Sequence, residues 1–179
     1  VLKVGVDDVE RAYGGRNPEL VVKYDGFIEG DNENDLANKP AVSTTADKSS
    51  DAGGYGLASS GGTSSNYLFK YSNCRLAISE AVPQLSIGLP DIFVYGTGLS
   101  EELVNAKSDV VGSFSFSPDL GSVLPAGIQM FKASFNPTDS KNYSEAQLIK
   151  IIIVQKAELS VSVADTFRAI STSNPEFEI

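Results

Sequence analysis

The chain has 179 residues, of which 41% are hydrophobic and 21% are charged, a composition typical of a globular protein with one or two domains. Its 23 acidic and 14 basic side chains leave a net charge of −9, which argues against nucleic-acid partners and against electrostatic binding to anionic lipids. Histidine is absent and cysteine occurs once, which excludes the usual general base at neutral pH, an internal disulfide and a cysteine zinc cluster.

Short strands are predicted throughout the first 81 residues, because apolar and polar residues alternate there and helical periodicity is almost absent. Val4 and Val6 alternate with Lys3 and Gly5 and mark the first strand. The further predicted strands are residues 20–27, 42–45, 55–58, 67–71 and 74–79. The last two are expected to form a hairpin, and residues 59–65 a turn rich in glycine and serine.

One short helix is predicted within residues 30–38 of this otherwise β-rich part. Asp31 or Asn32 can cap its N-terminus, and acidic residues follow in the first turn, where the helix dipole favours anions. Leu36 and Ala37 are expected to face inward.

The composition changes near Pro83, after which evenly spaced strands are separated by turns that contain glycine and proline. The predicted strands cover residues 84–87, 91–94, 103–106, 112–117, 128–135 and 146–155. Phe114 and Phe116 share one face of their strand, and Phe131 and Phe135 share a face of another. We interpret them as inward residues of two packed sheets, which favours a β-sandwich.

The end of the chain repeats its beginning at a constant offset. The matched stretches are residues 2–8, 11–12 and 17–20, which recur as residues 159–165, 168–169 and 174–177. A fixed period indicates an array of modules. We therefore expect the chain to be a piece of a longer array, in which residues 158–179 begin another copy.

Several motifs of the first 81 residues occur in a characteristic order. They are Arg11-Ala12-Tyr13-Gly14, Asn17-Pro18-Glu19-Leu20, Tyr24-Asp25-Gly26-Phe27, Gly30-Asp31 and Val42-Ser43-Thr44-Thr45-Ala46. In this order, residues 1–81 resemble the MBG family, which comprises mostly-β glycine-rich modules of bacterial surface proteins. For this module we expect a β-grasp-like sheet with one short helix.

A second set of motifs lies in residues 82–157. It includes Tyr95-Gly96-Thr97, Gly112-Ser113-Phe114-Ser115-Phe116-Ser117-Pro118, and Phe135-Asn136-Pro137-Thr138-Asp139 followed by Asn142-Tyr143. With these motifs, residues 82–157 resemble the bacterial Ig-like β-sandwich that often neighbours MBG modules, and Tyr143 resembles a tyrosine corner. Residues 158–179 are similar to the opening of a second, incomplete MBG module. Its first strand, residues 159–163, is expected to pair with its own Ig-like domain or with a neighbouring molecule.

The resemblance implies an exported, cell-surface protein whose repeats act as spacers in an adhesin-like stalk, with the export signal and the anchor outside these residues. Neighbouring repeats are the implied partners, and neither family brings a catalytic residue or a cofactor. No membrane insertion is expected, because the longest apolar run, residues 148–154, is far shorter than a membrane span and contains Lys150.

Two alternative functions stay open from the residues alone. Loops of residues 1–81 could bind a glycan or a host matrix protein, with a stacking platform built from Tyr13, Tyr24, Tyr55, Tyr67 and Tyr71. A pair of carboxylates could instead support glycoside hydrolysis, although 23 acidic residues always place some pair close together.

A weak calcium site is the one candidate metal site. Asp31, Glu33 and Asp35 have the spacing of the first three ligands of a calcium loop. The pattern then fails, because Leu36 stands where such a loop needs glycine and no glutamate follows at the twelfth position. A charged helix start is therefore the favoured interpretation of these acids.

Overall fold

The structure, a computed structural model, describes residues 1–162 and Ile170. It is mostly β, with 46% of residues in strands and 4% in helices, as the alternating sequence pattern predicts. The chain divides into two compact units. Unit 1 comprises Val1–Ile87, Ala106–Ser115 and Ala133–Leu148, and unit 2 comprises Gly88–Asn105, Phe116–Lys132 and the described residues from Ile149 onward.

The strands found within this described part are short, apart from three. In chain order they are β1 (Leu2–Gly5), β2 (Val9–Ala12), β3 (Lys23–Asp25), β4 (Asn38–Ser43), β5 (Gly53–Thr63), β6 (Phe69–Tyr71), β7 (Cys74–Ser79), β8 (Leu85–Ser86), β9 (Ile92–Val94), β10 (Lys107–Ser108), β11 (Gly112–Ser117), β12 (Gly127–Pro137) and β13 (Ala146–Gln155). A 3-10 helix covers Glu33–Asp35, and one α-helix, α1, covers Glu101–Val104. No helix in residues 1–162 is long and apolar enough to cross a bilayer.

A three-stranded sheet with the order β3-β1-β6 begins unit 1. Its central strand, β1, pairs antiparallel with β3 and parallel with β6, and its residues Leu2 and Val4 are buried while Lys3 is exposed. This alternation confirms the first predicted strand. Leu36 and Tyr67 complete the buried cluster beside this sheet, so the inward position predicted for Leu36 is also confirmed.

A four-stranded sheet with the order β2-β7-β5-β4 forms the second layer of strands in the same residues. Its core contains five buried side chains: Val6, Ala46, Leu57, Leu76 and Ile78. Residues 1–79 therefore form two sheets, where the sequence suggested one β-grasp-like sheet.

The predicted hairpin of residues 67–71 and 74–79 is wrong. β6 pairs with β1, whereas β7 lies between β2 and β5 in the other sheet. The chain changes sheets at Ser72, whose N–H donates to the Val4 carbonyl, and Arg75 N–H then donates to the Asp8 carboxylate. β1 and β6 are parallel neighbours in the first sheet, and the chain continues from them into β2 and β7, which are parallel neighbours in the second sheet. This long-range pairing prevents β6 and β7 from forming a hairpin with each other.

The glycine- and serine-rich turn predicted at residues 59–65 is also wrong for most of its length, because β5 continues to Thr63. Gly61 and Gly62 have φ values of 70° and 82°, which glycine adopts without strain. A Cβ on Gly62 would lie 2.7 Å from Pro40 Cγ in β4. Gly62 therefore allows β4 to approach the strand closely.

The predicted helix within residues 30–38 is reduced to a single 3-10 turn. Asn32 caps it, as one of the two predicted caps, by accepting a hydrogen bond from Asn34 N–H while Asp35 accepts from Asn32 N–H. Ala37 is exposed rather than inward, because the chain leaves the helical conformation at Leu36.

The strands after Pro83 form a four-stranded sheet with the order β11-β12-β13-β9, and β8 pairs with β10. β11 and β13 have the predicted boundaries. Phe114 contacts Phe135 and Phe116 contacts Phe131 across neighbouring strands of this sheet, and the packing of this face against a second sheet stays a prediction. The first half of residues 103–106, predicted as a strand, belongs instead to α1, whose N-terminus is capped by the Ser100 hydroxyl accepting from Leu103 N–H.

Residues 159–162 belong to no strand, so the predicted pairing of this segment with its own domain is not formed by them. Leu159 is 89% exposed. Val163 and nearly all of the remaining predicted third module lie outside the described residues, and pairing with a neighbouring molecule stays a prediction.

Candidate functional site

The candidate site surrounds Asn142, the one fully buried polar residue of the described part of the chain. It lies in the turn between β12 and β13, within unit 1, and is 5% exposed. A buried amide is costly unless its donors and its acceptor are all satisfied, so its partners indicate what the residue stabilises.

The Asn142 side chain bridges two segments that are about 90 residues apart in the chain. Its Oδ1 accepts a hydrogen bond from Ala52 N–H at 2.8 Å. Its Nδ2 donates to Asp51 Oδ1 at 3.0 Å and to Asp139 Oδ2 at 2.8 Å. Both amide protons and the carbonyl oxygen are therefore satisfied, with one partner in its own turn and two in the loop before β5.

The backbone around Asn142 is tied to Ala81, the last residue of the first predicted module. Ala81 N–H donates to the Asn142 carbonyl at 2.8 Å, and Ser144 N–H donates to the Ala81 carbonyl at 3.0 Å. Tyr143 lies between these two bonds, and its ring packs edge-on against Tyr13, with the ring centroids 5.4 Å apart. We call these contacts of residues 13, 51–52, 81 and 139–144 the asparagine clamp.

An ion pair lies at the rim of the asparagine clamp. Lys141 Nζ is 2.5 Å from Asp51 Oδ2, and both side chains are about half exposed or more. The hydrogen bond from Lys141, followed by that from Asn142, lowers the pKa of Asp51 below its usual 3.8, and the same carboxylate raises the pKa of Lys141. Exposed pairs of this kind contribute little to stability by themselves, so the buried amide is the main element of the site.

The clamp predicts a pH-dependent contribution of Asp51 to stability. Its folded-state pKa lies below the unfolded value, so the contribution is complete above about pH 5 and is lost as the pH falls through the folded pKa. We expect Asp51→Asn to lower the melting temperature at pH 7 and the difference from the wild type to shrink as the pH falls through the folded-state pKa of Asp51. Melting curves of both proteins from pH 7 to pH 2.5 measure this. A difference that persists unchanged at acid pH would contradict the assignment.

The structure does not bring Asp31, Glu33 and Asp35 together as a ligand set. Asp31 accepts a hydrogen bond from the Tyr67 hydroxyl at 2.6 Å, Glu33 pairs with Lys39 at 2.8 Å, and Asp35 caps the 3-10 turn. In the described residues no three side chains of histidine, cysteine, aspartate or glutamate are grouped so that they could hold a metal ion.

Tyr67 connects Asp31 to the loop before the 3-10 turn, because its hydroxyl also accepts from Ile28 N–H at 3.0 Å. The bond to Asp31 raises the pKa of Tyr67. We expect Tyr67→Phe to lower the melting temperature at pH 7 by about 3 to 6 °C, since it leaves Ile28 N–H without this acceptor. Calorimetry checks this, with Tyr95→Phe as the matched control on a tyrosine that is 52% exposed. Equal melting temperatures for Tyr67→Phe and the wild type would contradict the role of the hydroxyl.

The five tyrosines proposed as a sugar platform are divided among separate contacts. Tyr13 and Tyr55 pack against the core of the four-stranded sheet of unit 1, and Tyr24 and Tyr67 belong to the cluster beside β1. Tyr71 is 38% exposed and stacks on Phe69. Their rings therefore contribute mainly to packing.

Sequence reasoning located Asn142 within a motif but missed its role and its partners. Asp51 was not singled out, because nothing in its sequence neighbourhood distinguishes it from the other acidic residues. The partners are about 90 residues apart, and no periodicity or turn signal joins residues at that separation. The one local signal in the sequence is that Asn142-Tyr143 follows soon after Asp139. This spacing predicts a fixed turn, but it does not show that the turn binds the loop of residues 51–52.

Comparisons with known proteins bear on the first module only. No curated protein matches the chain. A family model described as "MBG domain (YGX type)" matches residues 2–77, nearly the whole of the module predicted for residues 1–81. The match supports the MBG module, and with it a repeat unit of a kind typical of surface proteins, at the beginning of this chain.

Proposed function

We propose that the chain is a spacer unit of a cell-surface, adhesin-like protein, in which it holds a distal binding domain away from the cell. Two findings support the surface setting: the match of residues 2–77 to a module typical of surface proteins and the recurrence of the N-terminal motifs near residue 160. The asparagine clamp is the observation that carries the spacer role.

A spacer transmits length only if its connections resist bending. The link from β7 to β8 has five residues, and its Ala81 is hydrogen-bonded on both sides to the turn of residues 139–144. The Asn142 side chain fixes the loop of residues 51–52 to the same turn. Because rotation at Ala81 would break several of these bonds together, the link behaves as a joint with one preferred geometry rather than as a flexible tether.

The proposal includes export of the parent protein, with the chain's partners being its neighbouring repeats. The proposed modules are residues 1–81, an MBG module, and residues 82–157, an Ig-like repeat. The proposed spacer function assigns no catalytic role to these residues.

Antibodies against the purified chain test the cellular setting. We expect them to label intact source cells as strongly as permeabilised ones, while antibodies to a cytoplasmic protein label only permeabilised cells. Labelling that appears only after permeabilisation would overturn the proposal.

A deletion of residues 1–157 from the parent protein, which removes one predicted repeat, tests the spacer role. Immunogold labelling of a distal epitope should then lie closer to the membrane, while the purified parent protein keeps its ligand affinity in solution. An unchanged label height, or loss of ligand binding in solution, would contradict a spacer.

A further inference from the structure

An exposed aliphatic face covers part of the four-stranded sheet in unit 2. Six side chains on neighbouring strands form it, each between 46% and 77% exposed: Ile92, Ile128, Met130, Ile149, Ile151 and Ile153. We call this surface the isoleucine face. All six residues belong to unit 2.

The face follows from the alternation of side chains along the strands. On β13, Ile151 and Ile153 point away from the core, whereas Ile152 is fully buried on the opposite side. β9 extends the face on one side, since Ile92 is the register partner of Ile153, and Met130 of β12 extends it on the other. β13 is thus apolar on both sides, a pattern typical of strands that are covered on both faces.

The size of the face predicts a weak contact. With strands about 4.8 Å apart and residues of about 3.3 Å, some six residues each of β12 and β13 and the three residues of β9 cover on the order of 250 Å². Apolar patches of this size on a monomer are often functional. Two such faces together bury on the order of 500 Å² before their rims are counted, less than half of what a stable interface needs.

The charge distribution favours a second copy of the same chain as the occupant. The whole chain carries a net charge of −9, yet β12 and β13 contain no aspartate or glutamate and have one lysine each. Two copies can therefore approach at this face without opposing carboxylates, although they repel each other elsewhere. The face also has no aromatic ring for sugar stacking, and flat aliphatic sheets pack well against each other.

We propose that two copies of this chain pair through the isoleucine face, sheet against sheet, in a weak and reversible dimer. The pairing is isologous, so each copy contributes the same side chains to it. It does not depend on the proposed spacer role, and either can fail without the other.

Sedimentation equilibrium of the full chain, from about 1 μM to about 1 mM, tests the pairing. We expect a reversible monomer–dimer equilibrium and at least a tenfold larger dissociation constant for Ile151→Lys, because the substitution places a charge in the centre of the face. Leu68→Lys is the matched control: Leu68 is 77% exposed, lies in unit 1 and undergoes the same charge change. Its dissociation constant should stay within about twofold of the wild-type value. Melting curves confirm that both variants are folded.

A purely monomeric protein at the highest concentration would overturn the proposal, and so would an equal weakening of the dimer by both substitutions.

Cross-linking identifies the surface involved. In a Cys74→Ser background, Ile151→Cys should be linked into dimers by a bifunctional maleimide of about 10 Å, the spacing of packed sheets. Leu68→Cys should not be linked. Dimers formed from Leu68→Cys alone would place the contact on another face and contradict the assignment.

Discussion

Replacing Asn142 with alanine is expected to destabilise the protein by about 2 to 4 kcal/mol, because it removes all three hydrogen bonds of a buried side chain. The Ala52 N–H loses its acceptor, and the Asp51 and Asp139 carboxylates each lose a donor. Because the three hydrogen bonds are lost together, the substitution costs more than the net value of one hydrogen bond.

The substitution Asn142→Asp separates the effect of lost hydrogen bonds on stability from the effect of a smaller side chain. The side chains have nearly the same shape, but a carboxylate at position 142 cannot donate to Asp51 and Asp139 and adds a third negative charge beside theirs. We expect Asn142→Asp to be less stable than Asn142→Ala at pH 7. Like-charge repulsion raises the folded-state pKa of the new carboxyl above its unfolded value, so its destabilising effect decreases as the pH falls and it protonates.

Urea denaturation of the wild type and both variants at pH 7 and pH 4 measures these differences. Asn73→Ala, on an exposed asparagine in the link between β6 and β7, is the matched control and should stay within about 0.5 kcal/mol of the wild type. Native-state hydrogen exchange adds a local readout: the Ala52 and Ala81 amides should exchange faster in Asn142→Ala. If both amides keep their protection, the clamp does not fix these segments.

The elements that the sequence predicted correctly are those in which local pattern and long-range pairing agree. β11 has serines alternating with Phe114 and Phe116, and β13 is a long aliphatic run, so both strands were located with their observed boundaries. β1 was found for the same reason. The acids from Asp31 to Asp35 were interpreted as a charged helix start, and Glu33 and Asp35 lie in the 3-10 turn. The hydrogen bond between Asp31 and Tyr67, which is far along the chain, has no local signal.

The wrong predictions occur where the structure of a segment is decided by the strand or loop that it pairs with. β6 and β7 look like a hairpin locally, yet each finds a parallel partner at the beginning of the chain, and this contact across about 65 residues cannot be read from either strand. Gly61 and Gly62 look like a turn, although both lie in β5 and Gly62 is needed for the close approach of Pro40. α1 contains Leu103 and Val104, which suggest a strand, and its capping serine is a weaker signal than its apolar residues. Asn142 belongs to the same class of missed long-range contacts.

Gly112→Ala is expected to cost about 2 to 3 kcal/mol, a value at the upper part of the range for overpacking. A Cβ at this position would lie 2.4 Å from the Asn136 carbonyl oxygen and 2.4 Å from Cζ of Phe135. The carbonyl belongs to the neighbouring strand and cannot rotate away, and Phe135 is 2% exposed and packs against Phe114 with the ring centroids 4.8 Å apart. The single added methyl group therefore forces β11 and β12 apart or displaces a core ring.

The matched control for this substitution is Gly56→Ala in β5. No heavy atom of a neighbouring group lies within 4 Å of its added Cβ, so alanine should be neutral or slightly stabilising there. Urea denaturation compares both variants with the wild type. If Gly112→Ala costs no more than Gly56→Ala, the close approach of β11 to Phe135 and Asn136 is contradicted.

A double substitution shows which contact accounts for the cost of Gly112→Ala. Phe135→Leu removes the ring atoms that clash with the new methyl group but keeps the Asn136 carbonyl in place. If the ring causes most of the strain, the combined loss in unfolding free energy is smaller than the sum of the two single losses. If the carbonyl causes it, the two losses add within about 0.5 kcal/mol, because relieving the ring does not relieve the backbone. The two contacts are equally short, so we expect an intermediate result. Phe135→Leu should recover part of the unfolding free energy lost in Gly112→Ala, and the contact with the Asn136 carbonyl should account for the rest.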